Sequence, residues 1–384
     1  MLIPFCPLGM AFASSGRHPG LKSCRLAGDT DGKVLMANLD NSSTAVLTAS
    51  DSAQIIQTVG LDRFMDDVID GIRIAALELD PETTVTIERG GFQYQKPSLG
   101  LVEWMPAMEL GRAVGIKTVG YHPSNPTQRS LPSVMATTSI HNTATGGLSA
   151  LVEATLLTAI RTGAASAVVS EVLSDPQASV LGLVGCGAQA VTQAHAISRV
   201  RPLSRIVAFD ADAAIAATLK SRLPMDVPVD IVSTAADAVR NAGIVCTATT
   251  VDIGAGPVVD AHSFRPDVHI NAVGADFPGK TELPLELLQS ALVIPDEVRQ
   301  CLKEGESQQL TEDQLGPSLP ELVQNAETFA AWRNELTIFD STGWALEDLI
   351  VAEIALEHAR ELQIGLHTQL QHDPADPYNP YESL

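Results

Sequence analysis

From Val46 onward the hydrophobic and polar positions fall into a regular pattern. The stretch STAVLTASDSAQIIQTVGLDRFMDDVIDGIRIAALEL reads as a short strand, a Ser/Asp helix start and two amphipathic helices with apolar residues at i, i+3 and i+4. Three β-type runs follow at 83–89, 100–106 and 115–121, separated by Gly and Pro turns, and predict a mixed sheet. Residues 147–173 have helical composition and almost no charge, which predicts a helix buried on most sides. Beyond it strand and helix patterns alternate, from RIVAFD and AAIAATLKSRL through GIVCTAT and DVHINAVG to LELLQSA and LVIPD. That alternation predicts a parallel, doubly wound sheet. An acidic stretch at 303–320 interrupts it and is expected to cover a surface. One more strand and a helix over roughly 344–363 follow, and residues 376–384, rich in Pro and Asp, are expected to form a flexible tail. Residues 1–45 precede the pattern and are expected to be a disordered extension, or to reflect an upstream start codon with Met36 as the true start.

Composition sharpens the class. A chain of 384 residues has room for two domains, and its apolar fraction of 45% with only 4% aromatics suits buried parallel strands packed against helices. The expected fold class is therefore α/β. A formal net charge of −22 repels phosphate backbones and anionic membranes, so neither nucleic acid nor a membrane is an expected partner. Cysteines at 6, 24, 186, 246 and 301 show no metal-binding spacing and read as free thiols in a reducing, cytoplasmic compartment.

The first candidate chemistry is SVLGLVGCGAQAVTQAHA, residues 179–196. Gly185 permits a tight turn after the strand, Gly187 lets the backbone approach a pyrophosphate, and Ala190 is small enough for close helix packing. The next strand ends in Asp210, where an acid hydrogen-bonds the ribose of NAD and repels the 2′-phosphate of NADP. NAD is the expected cofactor.

Four charged residues are the candidates for the other half of a site. Arg161 stands among Leu157, Thr158, Ala164 and Ala165, and a guanidinium held there needs an anion: Glu153, another carboxylate of the fold, or a substrate carboxylate. Lys117 and Glu103 lie within strands and either face water or face a ligand. Asp276 follows a buried-looking strand and so lies at the carboxyl end of the sheet, where doubly wound folds bind ligands. His122 and His141 are possible loop bases without a partner acid.

Together, LVEWMPAM, GIKTVGYHPSNP, SLPSVMATTSIHNTATG, TAIRTGAAS, LVGCGAQA, HINAVGADFPGKTEL and FDSTGWALED resemble the ornithine cyclodeaminase and mu-crystallin family over residues 46–375, most of all its bacterial cyclodeaminases. The resemblance implies a Rossmann domain, 176–334, inserted into a catalytic and dimerisation domain built from 46–175 and 335–375, acting as a homodimer. It implies that Lys117, Arg161 and Arg89 hold a substrate carboxylate, with Lys96 as the alternative cation to Arg89. Glu103 matches the acid near the substrate amino group and Asp276 the catalytic aspartate. On the cofactor side the matches are Ser133, Gly185, Gly187, Ala188, Gln189, Asp210, Val273 and Ser341.

The implied reaction is the NAD-dependent conversion of L-ornithine to L-proline with release of ammonia, in which the hydride taken from Cα is later returned. The rival readings are a net NAD(P)H-dependent reductase or dehydrogenase of a small imino or amino acid, and a non-catalytic binding protein of the mu-crystallin kind. One methylene in a pocket changes affinity by only about 1 to 3 kcal/mol, so the sequence leaves ornithine, lysine and diaminobutyrate open as substrates.

Overall fold

A computed structural model describes residues 43–382 of the chain, and the expectations for residues 1–42 lie outside them. Two sheets organise these residues. Strands β1 (Thr44–Leu47), β2 (Thr84–Thr86), β3 (Gly90–Tyr94), β4 (Gly100–Glu109), β5 (Ala113–Tyr121), β6 (Val134–Asn142) and β7 (Leu148–Glu153) build the first. The second contains β8 (Val180–Val184), β9 (Arg205–Phe209), β10 (Val229–Ile231), β11 (Ile244–Thr247), β12 (His269–Ala272), β13 (Leu292–Pro295) and β14 (Thr337–Asp340). The last strand, β15 (Leu366–Thr368), returns to the first sheet and pairs with β1, so the two ends of the described chain meet there.

The first sheet runs β15-β1-β7-β6-β5-β4-β2, with β3 also paired to β4; apart from the parallel β1–β7 pair its ladders are antiparallel. The second is entirely parallel, in the order β10-β9-β8-β11-β12-β14-β13. Its central strands are buried on both faces, as a parallel sheet clothed by helices requires; β8 is apolar throughout, whereas β12 also buries His269 and Asn271. The observed architecture is α/β, with the parallel sheet placed in sequence between strands of the first sheet, β1–β7 before it and β15 after it.

Helix Thr155–Leu173 joins the sheets. It is long and apolar enough to cross a bilayer, but 83% of its most apolar window is buried in the protein. Helix Ala345–Leu362 packs across β4 and β5 on the first sheet, and also against the helix Thr155–Leu173.

Four local expectations need correction. The extension expected over 1–45 ends sooner, because Thr44 and Ala45 are already paired in β1. Residues 148–153 form β7 rather than the start of the helix, because LSALVE is held between β6 and β1, and an apolar run of that length suits either state. Residues 337–340, expected with the first domain, pair as β14 between β12 and β13. The acidic stretch at 303–320 is not simply a surface cover, since Glu304, Glu306 and Ser307 are buried. Backbone N–H groups make that burial possible. Asp340 accepts from Glu306 N at 2.9 Å and Ser307 N at 2.8 Å, and Glu306 accepts from Glu282 N at 2.6 Å and Leu283 N at 3.1 Å.

Candidate functional site

The carboxyl edge of the parallel sheet forms one wall of a cavity of about 130 Å³; β4, β5 and the helix Thr155–Leu173 form most of the rest, with Arg89 and Val134 of β6. Strand periodicity explains the second wall. Successive side chains alternate between faces, so Leu101, Glu103 and Met105 of β4 share a face, as do Lys117, Val119 and Tyr121 of β5, and all six line the cavity. The helix adds Thr158, Arg161 and Thr162. Val273 and Asp276 come from the loop after β12, and Ser341, Thr342 and Gly343 from the turn after β14.

The cavity therefore gathers Arg89, Glu103, Lys117, Arg161, Gln189, Val273, Asp276 and Ser341. Ser133, Gly185, Gly187, Ala188 and Asp210 are not among its lining residues. Ser133 lies beside the lining residue Val134, and its carbonyl accepts the His122 N–H at 2.7 Å. Lys96 is exposed and outside the cavity, and the two half-buried histidines also lie outside it: His122 bonds Tyr94 at 2.8 Å and His141 lies within β6.

The cations are held by acids from distant parts of the chain. Lys117 Nζ lies 2.7 Å from Asp348 Oδ2, and Arg161 lies 3.0 Å from Asp348 Oδ1 through Nε and 2.9 Å from Glu347 Oε2 through Nη1. So the Arg161 partner is not Glu153, whose carboxylate instead accepts the Thr155 N–H at 3.0 Å. Burial, reinforced by the Arg161 charge, brings the Lys117 ammonium down to about 7, with Asp348 acting the other way. Burial also pushes Glu347 up to about 8 against the pull of Arg161. The turn of Gly343 is shaped around Arg161: φ is +102°, and a Cβ there would stand 2.9 Å from both terminal guanidinium nitrogens. Asp296 fixes that turn by accepting the Gly343 N–H at 2.6 Å and the Thr342 hydroxyl at 3.0 Å.

Arg89 is already engaged. Its guanidinium lies 2.8 Å from Glu304 Oε1 and 3.7 Å from Glu103 Oε2, and it donates to the carbonyls of Thr342 at 2.7 Å and Gly343 at 3.2 Å. Glu304 is pushed up to about 7, by burial against the pull of Arg89. Burial also raises Glu103; Arg89 opposes this and the negative charge of Asp276 adds to it. Asp276 is less enclosed than these acids and pairs with the buried Lys280 at 2.9 Å.

The glycine turn is built to receive an anion. Gly185 has φ +93°, and a Cβ there would lie 2.5 Å from the Ala248 carbonyl, so the tight turn requires glycine. A Cβ on Gly187 would meet nothing within 4 Å, and helix Ala188–Val200 begins there with no side-chain cap on its N–H groups. Asp210 accepts from Cys186 N at 2.7 Å and from Asp212 N at 2.8 Å, which ties the end of β9 to the turn. These features fit a dinucleotide.

Glu347, Asp348, Asp296, Glu304 and Lys280 escape the sequence reading of single residues. Two adjacent acids opening an apolar helix, in GWALED, were the available signal, but acids in a first helical turn are ordinary partners of the helix dipole.

A glycine turn open to an anion, an acid at the end of the next strand, and a cleft of buried cations and carboxylates define a dinucleotide-dependent enzyme acting on a small charged molecule. The chain belongs to the ornithine cyclodeaminase/mu-crystallin family, whose profile matches residues 51–363. L-lysine cyclodeaminase of Streptomyces rapamycinicus is 40% identical over 340 residues, 88% of this chain and 99% of that protein. A solved lysine cyclodeaminase structure, described for its recognition of L-lysine, L-ornithine and L-2,4-diaminobutyric acid, superposes with a TM-score of 0.86 at 43% identity, covering 88% of this chain and 99% of that one. An archaeal alanine dehydrogenase dimer with bound NAD gives a TM-score of 0.73 at 29% identity, covering 86% and 100% of the two chains.

Proposed function

We propose that the protein catalyses the NAD-dependent cyclodeamination of a basic L-α-amino acid, with L-lysine ahead of the L-ornithine expected from the sequence. The observation that carries the reading is one cavity holding both the buried cations Lys117 and Arg161 and the carboxylates Glu103 and Asp276. A diamino acid presents one anion and two cations, and this is a complementary set of charges. Similarity to a lysine cyclodeaminase over almost its whole length favours the longer side chain.

Bound NAD supplies a reversible two-electron acceptor for the Cα–H bond. Lys117 and Arg161 hold the carboxylate and fix the orientation of Cα. Arg89 joins them when its contact with Glu304 is exchanged for substrate. Glu103 orients an ammonium group, and Asp276 accepts the proton of the attacking amine, with Lys280 steadying its carboxylate. Gly185, Gly187, Ala188 and Gln189 would hold the pyrophosphate, Asp210 would take the ribose hydroxyls, and Ser133, Val273 and Ser341 would stand toward the nicotinamide end. The protein acts as a homodimer; the exposed Ile87, Phe92, Trp104 and Leu110 on the outer part of the first sheet supply the apolar surface a partner copy would cover.

The test is incubation of purified protein with L-lysine or L-ornithine and sub-stoichiometric NAD+. Lysine closes to the six-membered piperidine-2-carboxylate and ornithine to proline, so the product identifies the substrate. Ammonia in excess of cofactor, without accumulating NADH, is expected. NADH formed in step with ammonia would replace this reading with the net dehydrogenase that resemblance to alanine dehydrogenase supports.

A further inference from the structure

We propose that Asp348 is the positioning residue of the substrate-carboxylate clamp: its two oxygens, one on Lys117 and one on Arg161, set the spacing and orientation of both cations. The inference rests on the cyclodeaminase reading for its kinetic consequences, and on geometry alone for its structural ones. Lys117 is 1% exposed on the middle of β5, where an ammonium needs a partner charge. Asp348 is 2% exposed at the start of the helix Ala345–Leu362 and reaches Nζ at 2.7 Å through Oδ2. Its other oxygen reaches Arg161 Nε at 3.0 Å. One rigid carboxylate thus bridges two cations carried by two different elements, a strand and a helix.

The arrangement divides the work between neighbouring acids. Glu347 touches Arg161 only, at Nη1. Among the described residues, Asp348 alone pairs with both. The other charges acting on Lys117 are Arg161 and Arg89, which oppose its protonation, and Glu103 on β4 is coupled to it. Asp348 is the acid whose charge favours the ammonium form, from 2.7 Å away. Removing that charge leaves Lys117 neutral at a pH where it now carries a proton, and a neutral amine holds a carboxylate poorly. Lengthening the side chain by one methylene keeps the charge but displaces the bridge.

The experiment separates those two effects. In the NAD-loaded protein with 13Cε-labelled lysine, the Lys117 resonance, identified by its absence from Lys117→Arg, is titrated in wild type, Asp348→Asn, Asp348→Glu and Glu347→Gln. We expect the Asp348→Asn midpoint to fall by about one pH unit or more, while Asp348→Glu and Glu347→Gln stay near wild type. The kinetic arm follows ammonia release. KM for the diamino acid is expected to rise by about tenfold or more in both Asp348 variants, with a smaller change in kcat. In Asp348→Asn the pH above which KM climbs moves down with the Lys117 midpoint.

An unchanged Lys117 midpoint in Asp348→Asn, or an unchanged KM in Asp348→Glu, overturns the proposal. If Asp348→Asn does not fold, Asp348→Glu carries the spacing test by itself. The titration needs no turnover, so it decides the bridging role even if wild type releases no ammonia, a result that would sink the cyclodeaminase reading instead.

Discussion

Glu282 accepts the backbone N–H of Gly274 at 2.9 Å, two residues before Asp276. The same buried carboxylate takes the Thr249 N–H at 2.6 Å and the Thr247 hydroxyl at 2.7 Å, so one side chain ties the ends of β11 and β12 together at the cleft. Glu282→Ala leaves three buried donors unpaired, at about 1–3 kcal/mol each. A lower melting temperature and a lower kcat are expected together, read by calorimetry and ammonia release. Wild-type values for both would show that the loop holds Asp276 without this carboxylate.

Asp276→Asn keeps the shape of the residue and removes its basicity. Loss of about 10²- to 10⁴-fold in ammonia release is expected, with NAD+ affinity unchanged. Full activity would exclude Asp276 from proton transfer.

Gly343→Ala is expected to disturb the clamp rather than the fold as a whole. The left-handed backbone costs a non-glycine residue about 1–3 kcal/mol, and the new methyl would press on the Arg161 guanidinium. KM should rise by roughly tenfold, a change that corresponds to about 1.4 kcal/mol. Steady-state kinetics at saturating NAD+ measures it, and an unaltered KM would show that Arg161 has room to move.

Asp210→Ala removes the proposed ribose acceptor together with the anchor that holds the Cys186 N–H. Calorimetric titration should show NAD+ binding weakened much more than NADP+ binding. Equal losses would assign Asp210 to the turn alone.

Thermal stability should fall as pH rises from 6.5 to 7. Glu304, Asp340 and Glu353 are each raised to about 7 by burial and Glu347 to about 8, so the folded state binds protons that the unfolded chain has released. Their contribution is complete below the unfolded carboxylate range and is lost as pH rises through those raised values. Groups lowered by burial act with the opposite sign outside this window, His195 among them. Burial lowers His269 to about 3, which destabilises the fold below about 6.5, and Lys117, lowered to about 7, favours the fold increasingly above that pH. Melting temperatures in matched buffers check the slope, and a rise across the interval would contradict it.

What the sequence made legible follows from the range of the forces involved. The parallel sheet could be read because strands buried on both faces are short apolar runs, and their spacing needs no knowledge of partners. Gly185, Gly187 and Asp210 could be placed because a turn and the next strand are local. Arg161 stood out among apolar neighbours, but its partner Glu347 lies 186 positions away and leaves no trace in local pattern. Lys117 was undecided because a period of two shows which residues share a face without showing which face is buried. The burial within 303–320 is hidden for a related reason. Its composition is that of a solvated surface, and only the distant N–H groups of Glu282 and Leu283 make Glu306 tolerable inside.

The helix Ala345–Leu362 has one more consequence, which concerns the order of events during synthesis. The parallel sheet needs nothing beyond β14, and the strands that carry Glu103 and Lys117 leave the ribosome more than two hundred residues before this helix. Until it arrives, Lys117 and Arg161 have neither Asp348 nor Glu347 beside them, and like charges without counterions do not stay buried. The side of the cleft that carries Lys117 and Arg161 is thus completed last, and a chain cut short before the helix would lose the acids that hold these two cations.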